Sequence, residues 1–332
     1  MKVSILLTSY NLVDSIDAAI QSVVSQEMPF EWELIIGDDG STDGTVEHVQ
    51  EWVKQYRENI RLVQHTRDGE AKKTGFRAAQ NRAKLLELAK GDYINYLDGD
   101  DIFLGTEKIK TQVAMLDSAQ YASCSCCAHN TIAYVEKENR KYCMTDERIG
   151  TQVFTAKQYW PSMYFHTNTI LFRRKCIPML LDPLYKDYLN DTFITFILLQ
   201  YGDVLYLNEP WAQYNMTGEG LWTGKKAAYN VFRNILVYDL ELKINPDMAK
   251  ESFIHNRSSI LKIFQCYKRS DMPDIEPLVK GLDPDIFKIT LLLYKKMGLS
   301  FAECMAKCRL YLKATTSNNI DRIKRLNKKL FS

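Results

Sequence analysis

Val3-Ser4-Ile5-Leu6-Leu7-Thr8-Ser9-Tyr10-Asn11 opens the chain, and Gly91-Asp92-Tyr93-Ile94-Asn95-Tyr96-Leu97-Asp98-Gly99-Asp100-Asp101 repeats its logic further on. In both, a short apolar run of strand length ends abruptly in polar side chains. Such near-continuous apolar runs, broken only by Ser4 and Asn95, mark strands buried on both faces of a parallel sheet. Between them the period changes to that of helices. Ile16, Ile20, Val23 and Val24 share one helical face behind Asp14, a residue suited to cap a helix. Trp32 to Ile36 reads as a second strand, and Asp43 opens a helix carrying Val46, Val49, Val53 and Tyr56. Ile60 to Gln64 is a third strand. Lys72 to Lys90 is helical, with Phe76, Ala79, Ala83 and Leu86 in one stripe and Gly91 as its stop. This alternation predicts an α/β fold, an open and mostly parallel sheet with helices on both faces.

After a helix carrying Ile109, Val113 and Leu116 the pattern loosens. Tyr121 to Val135 and Lys141 to Met144 read as a hairpin around Glu136-Lys137-Glu138-Asn139, Thr167 to Phe172 as a strand and Asp191 to Tyr201 as a helix. From about Lys225 the signals are almost wholly helical. The expected organisation is therefore an α/β domain over residues 1–224 and a helical region over 225–332.

Composition narrows the function classes. Hydrophobic residues make up 46% of the 332 and charged residues 25%, the balance of a folded globular protein. Lys and Arg number 43 against 41 Asp and Glu, a net charge of +2, which argues against a nucleic-acid binder. No apolar run reaches the roughly 18 residues of a membrane span, and the start of the chain is too short in apolar residues for a signal peptide. The expected location is cytoplasmic, with the eight cysteines kept as thiols. Cys124, Cys126, Cys127, His129 and Cys143 invite a zinc reading, but strand alternation sends them to opposite faces. Buried thiols in a strand are the expectation.

In open parallel sheets ligands bind beyond the carboxyl ends of the strands. There this chain places Thr8-Ser9-Tyr10-Asn11, Asp38-Asp39-Gly40-Ser41-Thr42-Asp43 and Asp98-Gly99-Asp100-Asp101. Neither GxGxxG nor a Walker motif is present. Three carboxylates within four residues repel one another unless a cation joins them, and hard oxygen ligands suit Mg²⁺ or Mn²⁺. The same acids also fit a helix-capping loop. Asp38 and Asp39 could cap the following helix, or accept the imide N–H of a pyrimidine base. Tyr10 could lie against such a base or be an ordinary aromatic at a strand end.

Taken together in order and spacing, these three segments resemble the family 2 glycosyltransferases, inverting enzymes of the GT-A fold, over roughly residues 1 to 220. The resemblance implies that Thr8, Tyr10 and Asp39 hold the nucleotide, with Asp39 on the base. It makes Asp98 and Asp100 a DxD pair, Asp100 being the more direct ligand of a Mn²⁺ or Mg²⁺ ion on the diphosphate. Asn81 matches the Asn of an Ala-Arg-Asn element on the donor side. The general base falls on Asp191, in Asn190-Asp191-Thr192-Phe193, a residue that could otherwise be a plain helix-terminal carboxylate. Donor and acceptor are then a nucleotide-diphosphate sugar, UDP being preferred, and a saccharide of cell-surface polysaccharide biosynthesis, in a form that can be lipid-linked.

Three departures accompany the resemblance. Gln80 stands where the Ala-Arg-Asn element has Arg, leaving Lys72, Lys73 or Arg77 to supply the cation. Tyr214-Asn215-Met216-Thr217 stands where a Tyr-Arg-x-His element is common. QxxRW and membrane helices, marks of processive members, are absent, so addition of one sugar is expected. His166 lies near the acceptor side, as ligand contact or cap. Trp222, in Gly218-Glu219-Gly220-Leu221-Trp222-Thr223-Gly224, could stack a sugar under a lid or sit in a plain connection. Residues 301–332 carry eight Lys or Arg against Glu303 and Asp321, a net +6, beside an apolar stripe of Ile320, Ile323, Leu326 and Leu330. Such a helix can lie on the inner face of the plasma membrane as a peripheral contact, or pack on its own domain. The departures also leave room for a non-catalytic nucleotide-sugar-binding member of a membrane-surface assembly.

Overall fold

Strands with apolar residues on both faces must be covered on both faces, and this requirement builds the first half of the molecule. In the computed structural model residues 1–66, 74–159, 165–217, 237, 238 and 240–255 are described. The N-terminal strands are β1 (Val3–Ser9), β2 (Trp32–Asp38), β3 (Ile60–Gln64) and β4 (Tyr93–Asp98). They lie in the order β3-β2-β1-β4, all parallel. The helices between them are α1 (Ile16–Val24), α2 (Thr45–Gln55) and α3 (Thr74–Leu88). Side chains Val3, Ile5, Leu7, Leu34 and Ile36 from the strands meet Ile16, Ile20, Val23 and Val49 from the helices in one core.

Beyond β4 the sheet becomes mixed. β6 (Cys124–Val135) and β10 (Asp203–Met216) run parallel, and the short β9 (Leu171–Arg173) joins β4 to β6 antiparallel to both. The two-residue β5 (Ile102–Phe103) pairs with the outer edge of β10. β7 (Arg140–Cys143) forms the expected hairpin with β6, its turn closed by Asn139 at φ 44°. β8 (Gln152–Phe154) pairs with β10. The remaining helices of this half are α4 (Lys108–Asp117), the single turns α5 (Ala156–Tyr159) and α6 (Ile177–Leu180), and α7 (Asp191–Leu198).

Several local expectations are corrected. Asp14 does not cap α1; its first turn is closed by backbone bonds from Ser15 and Ile16 to the Leu12 carbonyl. Residues 167–169 form a 3₁₀ turn rather than the start of a strand, with His166 capping it by accepting from the Asn168 N–H. Cys124, Cys126 and Cys127 are buried free thiols, and burial pushes the Cys127 thiol up to about 12. Among the described residues no helix is long and apolar enough to cross a membrane.

The chain divides into two compact units, Met1–Thr223 and Gly224–Ser332. In the second, residues 240–244 and Pro246–His255 are helical. Trp222 and the basic stretch 301–332 lie outside the described residues, as do Lys72 and Lys73.

The loops at the carboxyl edge are knotted together by their own polar groups. Asp38, fully buried at the end of β2, accepts from the Gly40 and Ser41 N–H groups (3.0 and 2.8 Å), from Ser9 Oγ (3.1 Å) and from Ser41 Oγ. Asn11, at φ 52°, accepts from the Thr42 N–H (2.9 Å) and donates its own N–H to Ser41 Oγ (2.8 Å). Asp38 is thus spent on the loop, and Asp39 pairs instead with Arg77 on α3.

Asp38→Ala removes the acceptor common to four donors. With bonds to a charged group worth about 1.5–3 kcal/mol each before relaxation, it should cost about 2–4 kcal/mol in urea unfolding; an unchanged midpoint would contradict this account of the loop. At the opposite edge a Cβ on Gly91 would sit 2.4 Å from the Ser4 nitrogen and 2.7 Å from the Val3 carbonyl carbon. Gly91→Ala should therefore lose about 1–3 kcal/mol. Gly150→Ala, where a Cβ meets nothing within 4 Å, should stay within about 0.5 kcal/mol.

Candidate functional site

Residues 3–38 run outward from β1 to β2 and the chain later returns to place β4 on the other side of β1, so the strand order reverses between β1 and β4. A crevice forms at such a reversal, beyond the strands' carboxyl ends. Thr8 and Asp98 are register partners there, and Thr8 Oγ1 donates to Asp98 Oδ1 at 2.6 Å. The Gly99 N–H donates to the Thr8 carbonyl at 2.9 Å. A Cβ on Gly99 would lie 3.0 Å from Leu12 Cδ1 and 3.1 Å from Ile16 Cδ1, so close packing on α1, rather than an unusual φ, favours glycine here.

The three acids of this turn have separate roles. Asp101 points inward and is fully buried, accepting from the Asn215 N–H (3.0 Å) and from Asn168 Nδ2 (2.9 Å). Burial, then the charges of Asp100 and Asp98, push its pKa well above the usual carboxylate range. Asn215 Nδ2 also donates to the Asp100 carbonyl at 2.6 Å. Asp98 is tied by Thr8 and by Arg82, whose Nη2 lies 3.1 and 3.0 Å from its two oxygens. Burial acts to raise the Asp98 pKa, but Arg82, Thr8 and His166 together hold it below the ordinary value. The Asp100 carboxylate bonds only to its own backbone N–H among the described residues, and burial and the Asp98 charge push it up to about 6. It is the acid of this turn left to meet a ligand.

Arg82 is the residue of this edge that the sequence reading did not single out. Its Nη1 reaches Asp191 Oδ1 at 3.2 Å while its Nη2 holds Asp98. A cation thus stands at this edge two residues after Gln80 on α3, while Arg77 pairs with Asp39. Gln80 faces another way, its Nε2 donating to Asp187 Oδ1 at 3.2 Å. The sequence held only an indirect sign: Arg82 lies three residues after Ala79 and four before Leu86, beside the predicted apolar stripe, and the structure buries it to 8% exposure. A charge on the buried side of a helix requires a partner.

Asp191 begins α7, yet the cap of that helix is Asn190, whose side chain accepts from the Phe193 N–H at 2.9 Å. Asp191 is thereby free of the capping duty and turned toward Arg82. In the place of the Tyr-Arg-x-His element, Tyr214 stacks on His166 with ring centroids 4.4 Å apart, and Asn215 secures the acidic turn. His166 Nδ1 lies 3.8 Å from Asp101 Oδ2. The Tyr214 hydroxyl is pushed up by burial and then by Asp101, Asp191, Asp100 and Asp98, which places it among the same carboxylates.

The remaining expected residues line the same edge nearer β2. Tyr10 is 43% exposed. Asp39 is paired with Arg77, whose Nε lies 3.2 and 3.0 Å from its two oxygens. Asn81 is buried behind this edge. Its Nδ2 donates to the Gly37 carbonyl at 2.7 Å and its Oδ1 meets His65 Nε2 at 3.1 Å, so it supports the end of β2 rather than facing the crevice.

Among the described residues no three His, Cys, Asp or Glu side chains converge on a point where they could hold a metal by themselves. One unshared Asp100 carboxylate beside the engaged Asp98 does fit a hard divalent ion completed by ligand oxygens.

The family described as Glycosyl transferase family 2 matches residues 4–178, more than half of the chain. EpsE of Bacillus subtilis (strain 168) is 35% identical over 120 residues, 36% of this chain and 40% of EpsE. The Escherichia coli UDP-Glc:alpha-D-GlcNAc-diphosphoundecaprenol beta-1,3-glucosyltransferase WfgD is 37% identical over 114 residues, 34% of this chain and 40% of WfgD. The chain thus spans two-fifths of the length of these curated relatives. Residues 1–349 of S. aureus TarS, solved in complex with UDP-GlcNAc, superpose with a TM-score of 0.62 at 16% identity, covering 96% of this chain and 93% of that one. With the strand order, the acidic turn at the end of β4 and this match, the chain belongs to glycosyltransferase family 2 and has the GT-A fold.

Proposed function

We propose that the protein is an inverting glycosyltransferase that moves one sugar from a nucleotide diphosphate, UDP, to a saccharide acceptor in the synthesis of a bacterial cell-surface polysaccharide. The observation that carries this reading is the meeting of Asp98 and Asp191 on one guanidinium. One acid would suffice to pair the buried Arg82; here two from separate elements, β4 and α7, converge on it. A donor-holding acid beside a proton acceptor is what an inverting transfer needs.

In this reading Thr8, Tyr10 and Asp39 hold the nucleoside, and Asp98 orients Thr8 and the end of β4. A Mn²⁺ or Mg²⁺ ion on Asp100 would neutralise the diphosphate and stabilise it as leaving group. Asp191 accepts the proton of the acceptor hydroxyl. That oxygen forms the new bond to the sugar C1 while the C1–O bond to the phosphate breaks, its electron pair departing with UDP, and C1 is inverted. Positioned general-base action of this kind contributes about 10²–10⁴-fold. Asn81 acts indirectly, through Gly37 and the loop that carries Asp39. His166 and Tyr214 border the acceptor side, to which Trp222 is assigned as well.

TarS is crystallised with UDP-GlcNAc, and WfgD is named for transfer from UDP-Glc to a diphosphoundecaprenol-linked sugar. These names support a UDP-sugar donor and a lipid-linked acceptor here. The net +6 of residues 301–332 suits a peripheral contact with an anionic membrane, where such an acceptor resides.

Asp191→Asn should lower transfer at least 100-fold while leaving UDP binding within about threefold, read by UDP release and by calorimetry. Retained transfer would remove Asp191 as the base. Asp100→Ala should weaken the Mn²⁺-dependent part of UDP binding, and binding that is unchanged with Mn²⁺ present would remove Asp100 as its ligand.

A further inference from the structure

We infer that Arg82 is a positioning residue of the transfer, fixing Asp191 against the donor edge from behind the crevice without touching either substrate. The inference rests on the function proposed above. Its first support is relative exposure: the Arg82 side chain is 10% exposed, against 29% for Asp98 and 26% for Asp191. A ligand entering the crevice meets the two acids, and the guanidinium stands behind them. The second support is that the fork spans two elements. Nη2 grips the last residue of β4, whereas Nη1 binds the first residue of α7 and also donates to the Leu189 carbonyl at 3.3 Å. The planar fork sets a fixed separation between the groups on its two nitrogens.

A buried cation can be neutralised by a single acid. Here two acids from separate elements share it, and both are more exposed than the guanidinium between them. An arginine keeps its charge at any working pH, and here it lies within ion-pair distance of both acids at once. Without it, Asp98 and Asp191 would face each other as like charges across the crevice, and Asp191 would swing away from the acceptor hydroxyl. An aimed base lost in this way slows chemistry far more than it weakens nucleotide binding.

The test uses the full chain with Mn²⁺ and a panel of UDP-sugars, UDP-glucose and UDP-N-acetylglucosamine included. Turnover is read as UDP release and affinity as UDP binding by calorimetry. Arg82→Met should lower kcat at least 100-fold while the Kd for UDP changes less than about threefold. Arg82→Lys, which keeps the charge and loses the fork, should recover at least a tenth of wild-type kcat. Should Arg82→Met fail to fold, Arg82→Lys decides alone: a 3- to 10-fold lower kcat at unchanged Kd supports the clamp, and wild-type kcat overturns it. Wild-type turnover in Arg82→Met, or a loss of UDP affinity equal to the loss of kcat, also overturns it. If the wild type turns over while Asp191→Asn does not, failure of the Arg82 variants sinks only this inference. If the wild type releases no UDP from any donor, the proposed function itself fails.

Discussion

Four carboxylates, those of Asp98, Asp100, Asp101 and Asp191, crowd the carboxyl edge of one sheet, and the rest of the site is arranged around their mutual repulsion. Each is relieved differently. Asp101 is pushed toward its protonated form and fixed by Asn168 and Asn215. Asp98 and Asp191 share Arg82. Asp100 bonds only to its own backbone N–H among the described residues, and the Arg82 charge only partly offsets burial and the Asp98 charge. At an effective dielectric of about 20, like charges a few ångströms apart repel by several kcal/mol. In the proposed function a divalent ion arriving with a diphosphate would relieve the last of that repulsion.

Adjacent acids recur at this edge with opposite duties. Of Asp38 and Asp39, the first is consumed by four donors of its own loop and the second is turned out to Arg77. Of Asp100 and Asp101, the second is buried and the first is available. At the start of α7 the cap and the carboxylate that meets Arg82 are likewise split between Asn190 and Asp191. In each pair one residue shapes the backbone so that its neighbour can face the crevice, and replacing the inward member would be felt as lost stability before lost chemistry.

The parallel half was legible because burial on both faces leaves a one-dimensional trace. Val3 to Leu7, Trp32 to Ile36 and Tyr93 to Leu97 are runs that only such strands require, and the strands extend to Ser9, Asp38 and Asp98 by backbone pairing that no apolar pattern reports. β10 carried no such trace. Asn208-Glu209-Pro210 interrupts it like a turn, yet the structure absorbs these residues as register shifts against β6. That Asp98 and Asp100 share one edge turn followed from the end of the β4 run, and Asp191 was singled out only through the family resemblance. Arg82 was not singled out at all, because its partners lie 16 and 109 residues away and become neighbours only when α3 and α7 meet at the edge of β4. Asn81 shows the converse: its place in a motif suggested a ligand contact, and its hydrogen bonds show a brace.

The central claim is that the edge holding Thr8, Asp98 and Asp100 binds a nucleoside diphosphate together with a divalent ion. Thermal unfolding of the full chain with UDP, GDP, dTDP or CDP, each with and without Mn²⁺, tests it most directly. A ligand at 100 times its Kd adds about 2.7 kcal/mol to the native state, a shift readily seen. The account predicts a rise in Tm with UDP that requires Mn²⁺ and exceeds the rise with the other nucleotides. No shift with any of the four, or a shift with UDP that is the same without Mn²⁺, would contradict it.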